Sequence, residues 1–181
     1  MARITPLKPE QYTPDQKALA DRITASRGGV RGPYAIWIKN PKLCDYVDGL
    51  GKFSRFDTSL PQRLSELAIL VVTRHWTAQF AWQAHEKLAR KEGIPDAAID
   101  AIRNRERPSF ARPDETAVYD FVHELTERKA VSDATYRNAI DVLGEPAVIE
   151  LVTICGYYSL VSMTVNAFEA PLPEGVTPLP A

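Results

Sequence analysis

The chain has 181 residues, 45% of them hydrophobic and 25% charged, enough to bury one sizeable core but too few for a comfortable second domain. These fractions are ordinary for a folded soluble protein and exclude a disordered or fibrous chain. With 22 Lys and Arg against 23 Asp and Glu, no large field exists to draw in a polyanion or an anionic membrane surface, so neither nucleic acid nor membrane is an expected partner.

Residues 1–12 are rich in proline and polar side chains and read as an arm lying on the surface or on a neighbouring subunit. Thr13-Pro14-Asp15 supplies a cap, a first-turn proline and an acid, which opens a helix carrying Leu19 and Ile23 and stopping at Gly28-Gly29. The glycines between Gly28 and Pro33 invite comparison with a phosphate cradle. No Gly-Lys-Ser/Thr follows and no buried strand precedes, so the segment reads as a turn. Pro33 to Lys39 forms a short apolar helix, and Asn40 caps another that Pro41 opens, running through Leu43, Val47, Leu50 and Phe53.

Ser59-Leu60-Pro61-Gln62 reads as a capping box in which Ser59 accepts from the Gln62 amide and Gln62 reaches back. The helix behind it, with Leu64 and an unbroken run from Leu67 to Val72, is apolar almost all round and belongs at the centre of a core. A turn at Arg74 to Trp76 leads to a second central helix, Thr77 to Glu92, ended by Gly93. Ile94 to Arg105 makes a short helix opened by Pro95, and the arginine-rich link from Arg103 to Pro113 lacks the interleaved aromatics of a single-strand binder. Val118, Phe121, Val122 and Leu125 mark one amphipathic helix. Tyr136, Ala139, Ile140 and Leu143 mark the next, behind a Ser132-Asp133 cap. Pro146 begins a long final helix through Phe168, and the proline-rich tail 170–181 cannot extend it. No strand pattern of useful length and no solenoid repeat interrupts the series, which predicts an all-α domain of about seven to nine helices.

No apolar run at the N-terminus suits a signal peptide. The longest later candidate, Ala147 to Phe168, is broken by Glu150, Ser159, Ser162 and Asn166, so the expected location is cytoplasmic. Cys44 and Cys155 are far apart, without a CxxC pair, and read as buried fillers. No cofactor is expected. His85 lacks a second histidine at helical spacing, which argues against metal, and no GxSxG elbow supports serine hydrolase chemistry. His75 and His123 read as surface or helix-end residues.

The most informative pair is Glu66 and His85, one on each central helix. A buried carboxylate is costly unless paired, and an imidazole is a natural partner. Ala78, Ala81 and Trp82 lie seven, four and three residues before His85 and share its face. Small side chains there leave room for a cavity in which His85 serves as general acid or base toward a small-molecule substrate. The residues alone favour a satisfied polar pair that fixes helix register and does no chemistry.

Glu66-Leu-Ala-Ile-Leu, then Phe80-Ala-Trp-Gln-Ala-His85, Ala89 and Gly93-Ile-Pro resemble the core of the carboxymuconolactone decarboxylase family. The likeness continues through Phe121, Glu124-Leu125, Val131-Ser132-Asp133, Leu143-Gly144-Glu145, Glu150-Leu151, Gly156-Tyr157-Tyr158, Asn166-Ala-Phe168 and Pro171-Leu-Pro173, so it spans roughly residues 33–173. It implies an alkylhydroperoxidase-like helical protomer that assembles as a dimer, trimer or hexamer. The family's redox branch carries a Glu followed by CxxCxxxH, and the matching positions here are Glu66, Ala78, Ala81 and His85. The acid and the histidine are kept while both cysteines are alanine. Dithiol peroxidase chemistry needs a thiolate and a resolving thiol, which alanine cannot supply. The decarboxylase branch implies a cofactor-free lyase or isomerase working on a small unsaturated or cyclic carboxylic acid or lactone. In that reading His85 and Glu66 are catalytic, Trp82, Tyr34 and Tyr157 line the pocket, and Arg74 or Arg55 is the candidate cation for the substrate carboxylate. A peroxidase-like protein drawing its thiol from Cys155 or a partner protein, and a noncatalytic helical binding protein, are the other readings.

Overall fold

The computed structural model describes residues 3–172 and 175–180. Met1, Ala2, Pro173, Glu174 and Ala181, among them the extremes of the expected arm and tail and the last residue of the family-like stretch, lie outside the described residues. Among the described residues the fold is all-α, built from α1 (Pro14–Arg27), α2 (Pro33–Trp37), α3 (Pro41–Lys52), α4 (Gln62–His75), α5 (Gln79–Lys91), α6 (Asp96–Arg103), α7 (Pro113–Arg128), α8 (Asp133–Leu143) and α9 (Glu145–Ala167).

The helix ends follow side-chain chemistry. Thr13, Asn40 and Ser132 each accept from a backbone N–H of the following first turn, at Gln16, Leu43 and Thr135, so each satisfies a donor that the helix itself cannot. Gly28 ends α1 in the left-handed conformation at φ 75°. Gly32 sits at φ 56° and ψ −127°, where an L side chain is strained, and a Cβ there would also run into the Phe80 ring.

α4 occupies the centre and packs against α5, α7 and α9. Every residue from Leu64 to Arg74 is buried. Leu67, Ile69, Leu70 and Val72 lose all contact with solvent, which contributes about 1.5–3 kcal/mol for each side chain. α9 forms the second core element. By length and composition it could cross a membrane, yet 56% of its apolar window is buried inside the protein, and a helix buried in a core passes the same test.

Two local expectations fail. Ser59 does not cap α4; its backbone N–H and its hydroxyl both donate to Glu150 Oε2 of α9, at 2.8 and 2.7 Å. Gln62 does not reach back, and its Nε2 donates to Glu66 Oε1 at 2.9 Å. α4 takes Pro61 as its N-cap, which leaves Ser59 two residues short of the capping position, free to make charge-assisted bonds to α9. The chain after α3 also continues as a π-helical turn, Phe53–Asp57, which hydrophobic spacing does not announce and which often marks a functional site.

The ends of the described chain lie on the protein's own helices. Arg3 donates through its backbone N–H to Phe168 O and through its side chain to Ala167 O, both at 3.1 Å, which engages carbonyls at the C-terminus of α9. Leu179 is buried, and Gln79 clasps it, accepting from its N–H at 2.6 Å and donating to its carbonyl at 3.1 Å.

Candidate active site

α4 and α5 lie side by side and bring Glu66 against His85, with Nδ1 at 2.7 Å from Glu66 Oε2. Glu66 is 1% exposed, and both of its oxygens are engaged, Oε2 by His85 and Oε1 by Gln62. An acceptor-only carboxylate at Nδ1 assigns the ring proton to that nitrogen. Nε2 has no hydrogen-bond partner among the described residues, and His85 lines a cavity of about 480 Å³. The Tyr158 ring meets the imidazole edge-on, 4.8 Å between centroids and 85° between planes, which fixes the ring's orientation from a second side.

Tyr34 and Tyr157 line the same cavity, and their hydroxyls lie 3.2 Å apart. Gly51 of α3 permits this approach, since a Cβ there would meet the Tyr157 hydroxyl. Burial holds the Tyr34, Tyr157 and Tyr158 hydroxyls above the usual phenol range, so all three keep their protons at neutral pH and can donate.

Trp82 does not line the cavity. Counting about 100° per residue, it falls some 160° from Ala84, which does. Its indole N–H donates to Glu86 Oε2 at 3.0 Å, and the Arg103 guanidinium stacks 5.5 Å from its ring. Being near His85 in sequence did not decide its direction; the acid one turn onward did. Ala78 also lies away from the lining, whereas Ala81 and Ala84 form part of it.

The two candidate cations separate. Arg55, on the π-helical turn, lines the cavity. Arg74 is buried elsewhere, donating to Arg103 O at 2.7 Å. Three further cations line the cavity, Arg27, Arg31 and Lys87. The loop read as a plain turn thus delivers Arg31. Arg27 stacks 4.7 Å from the Tyr34 ring and pairs with Asp48 at 3.4 Å. Arg31, Arg55 and Lys87 have no carboxylate partner, and no Asp or Glu lines the cavity, among the described residues. The interior is aromatic and apolar, and the charge at its edge is positive. Sequence reasoning found one of these four cations, because net charge conceals where charges gather.

Neither cysteine lines the cavity. Burial pushes the Cys44 thiol up to about 11 and the Cys155 thiol up to about 12, so at neutral pH both stay protonated and are poor nucleophiles. Of the other histidines, His75 pairs with Glu127 at 2.7 Å and His123 stacks on Tyr119. No three His, Cys, Asp or Glu side chains gather as a metal set among the described residues.

No family model matches the chain, and no curated protein matches it. Solved structures do. An uncharacterized peroxidase-related protein from Ralstonia eutropha JMP134, described as an alkylhydroperoxidase AhpD core, superposes with a TM-score of 0.80 at 12% identity, covering 96% of this chain and 93% of its own. The chain has the alkylhydroperoxidase-like fold. A variant of the debrominase Bmp8 in complex with 2,3,4-tribromopyrrole aligns with a TM-score of 0.77 at 16% identity, over 96% of this chain and 95% of that one. An uncharacterized peroxidase-related protein from Silicibacter sp. TM1040 aligns at 0.75 and 12% identity, over 94% and 92%. At such identities the likeness establishes the alkylhydroperoxidase-like fold alone.

Proposed function

We propose that the chain is a cofactor-free acid–base enzyme of the carboxymuconolactone decarboxylase kind, acting on a small unsaturated or cyclic carboxylic acid or lactone. The observation that carries this reading is one cavity holding an imidazole backed by a buried carboxylate, beside three cations with no carboxylate partner and with no acid in its lining among the described residues. An anionic substrate is drawn in by Arg31, Arg55 and Lys87, while the aromatic interior takes a compact ring. The likeness in fold to a debrominase that binds 2,3,4-tribromopyrrole is consistent with a small cyclic ligand.

In this reading the substrate's C–C bond to its carboxylate breaks, CO₂ leaves, and the electron pair passes into the conjugated system toward the lactone carbonyl. Arg55 stabilises the oxygen on which that charge arrives. The imidazolium of His85 then delivers the Nε2 proton to carbon, and Glu66, accepting from Nδ1–H, stabilises the cation before transfer and holds the tautomer after it. An isomerase uses the same atoms without loss of CO₂, His85 taking a proton from one carbon and returning it to another.

Muconolactone-like acids and their methyl esters, assayed for CO₂ release and double-bond shift, test the reading. At least one acid is expected to turn over, with its ester a poorer substrate. Arg55→Gln should lower kcat/KM for the acid about tenfold or more, the worth of a charge-assisted contact. Saturable binding across the panel with no turnover would instead identify a noncatalytic binding protein.

The names of two of the fold's neighbours, peroxidase-related proteins, favour a second, peroxidase-like reading. Cys44→Ser and Cys155→Ser together decide it. Peroxide consumption is expected to be absent, or unchanged by the double substitution; a loss that tracks either thiol would transfer the chemistry to sulfur.

A further inference from the structure

A second cavity, of about 220 Å³, lies beside the C-terminus of α4 and is lined by Arg74, Arg105, Tyr119 and His123 among others. Arg74 is 3% exposed and has no carboxylate partner among the described residues. Its Nε donates to Arg103 O at 2.7 Å and its Nη1 to Thr77 Oγ1 at 3.1 Å, leaving Nη2 without an acceptor among the described residues. Arg105 converges on the same hydroxyl, donating from Nη2 to Thr77 Oγ1 at 3.0 Å. Arg105 too has no carboxylate partner among the described residues.

A hydroxyl offers two lone pairs and one hydrogen. Both lone pairs of Thr77 are taken by guanidinium donors, so its hydrogen remains as a further donor. Around this hydroxyl the balance is therefore rich in donors and positive charge. A buried charge without a counter-charge is costly, and two guanidinium groups sharing one neutral acceptor repel each other. The backbone adds a second anomaly. Thr77 and Arg105 both adopt positive φ, 47° and 60°, a conformation that costs non-glycine residues free energy and gathers at functional sites. The acids in the lining do not neutralise the pair: Glu127 is engaged by His75, and Glu106 is an exposed carboxylate with no arginine contact.

We propose that this cavity is a second ligand site, distinct from the His85 cavity, which binds a small oxyanion of the carboxylate or phosphate class through Arg74 and Arg105. The planar guanidinium groups match two-oxygen acceptors, and the stacked Tyr119 and His123 rings, 5.3 Å between centroids, offer an apolar wall to the rest of the ligand.

The test titrates the ¹⁵N-labelled full chain with inorganic phosphate and, separately, with acetate, following backbone amide resonances. Saturable shifts at Thr77, Arg105 and Glu106 are expected with at least one anion; saturation by both, by phosphate alone or by acetate alone supports the site and assigns its class. Arg74→Lys and Arg105→Gln should each weaken that saturation about tenfold or more, while Arg137→Gln, which breaks only a surface pair with Asp133 one turn away, should leave it unchanged. Arg105 is exposed, so its substitution keeps the test valid should the Arg74 variant fail to fold. Shifts confined to the His85 cavity, no saturation with either anion, or saturation indifferent to Arg105→Gln would overturn the proposal and leave Arg74 as a cap on the carbonyl end of α6.

Discussion

His85→Gln should lower kcat about 10²- to 10⁴-fold, the usual contribution of a positioned acid–base group, and leave the melting temperature near that of the parent. Glutamine can still donate to Glu66 Oε2, so the buried carboxylate keeps a partner and the core keeps its packing. It has no titratable atom to set where Nε2 stands. Loss of rate without loss of fold is the signature of chemistry at that nitrogen. The measurement is kcat on an acid that the wild type consumes, alongside a thermal melt. Unchanged turnover in a folded variant would remove His85 from the mechanism and return the pair to a purely structural part.

Glu66→Ala should be the more disruptive change to the fold, with a loss of about 3–5 kcal/mol. Two side chains, His85 and Gln62, lose their acceptor at once, and removal of one partner of a buried polar pair is costly because the other is left without compensation. The alanine also leaves a void in a helix that is buried from Leu64 to Arg74. Glu66→Gln keeps the volume and one acceptor for Nδ1–H, and should lose only about 1 kcal/mol. Denaturant midpoints compare the three proteins. In the glutamine variant a fall in kcat with KM unchanged would mark Glu66 as the residue that positions the imidazole, whereas equal stability of all three would deny the pair any part in the core.

Much of the fold could be read from local chemistry. Thr13, Asn40 and Ser132 cap the helices they precede because the N–H groups that donate to them lie within one turn. Ser59 has the same pattern and fails: α4 takes Pro61 as its N-cap, and both Ser59 donors go to Glu150, 91 residues onward; no reading of a short window contains that residue. Glu66 and His85 were legible for an energetic reason, since an acid in an apolar helix must find a partner and few were on offer. Trp82 was misread because spacing names a face only to within a sector, and its indole N–H went to Glu86. Arg27, Arg31 and Lys87 were missed as cavity cations because they come from separate stretches of chain that only tertiary packing unites. The π-helical turn that carries Arg55 has no side-chain period of its own to betray it.

The carboxylate behind the imidazole has a consequence for hydrogen bookkeeping. Both Glu66 oxygens are committed and its carboxyl group is sealed in the core, so no second route lets the histidine trade a proton with bulk water from behind. Exchange at Nε2 must pass through the cavity mouth, the opening by which the proposed substrate would enter. A bound ring that filled that opening would keep the hydrogen on His85 out of equilibrium with solvent for as long as it stayed. An isomerisation run in deuterium oxide would then return the substrate's own hydrogen to the product, so the isotope in the product records how tightly the cavity closes.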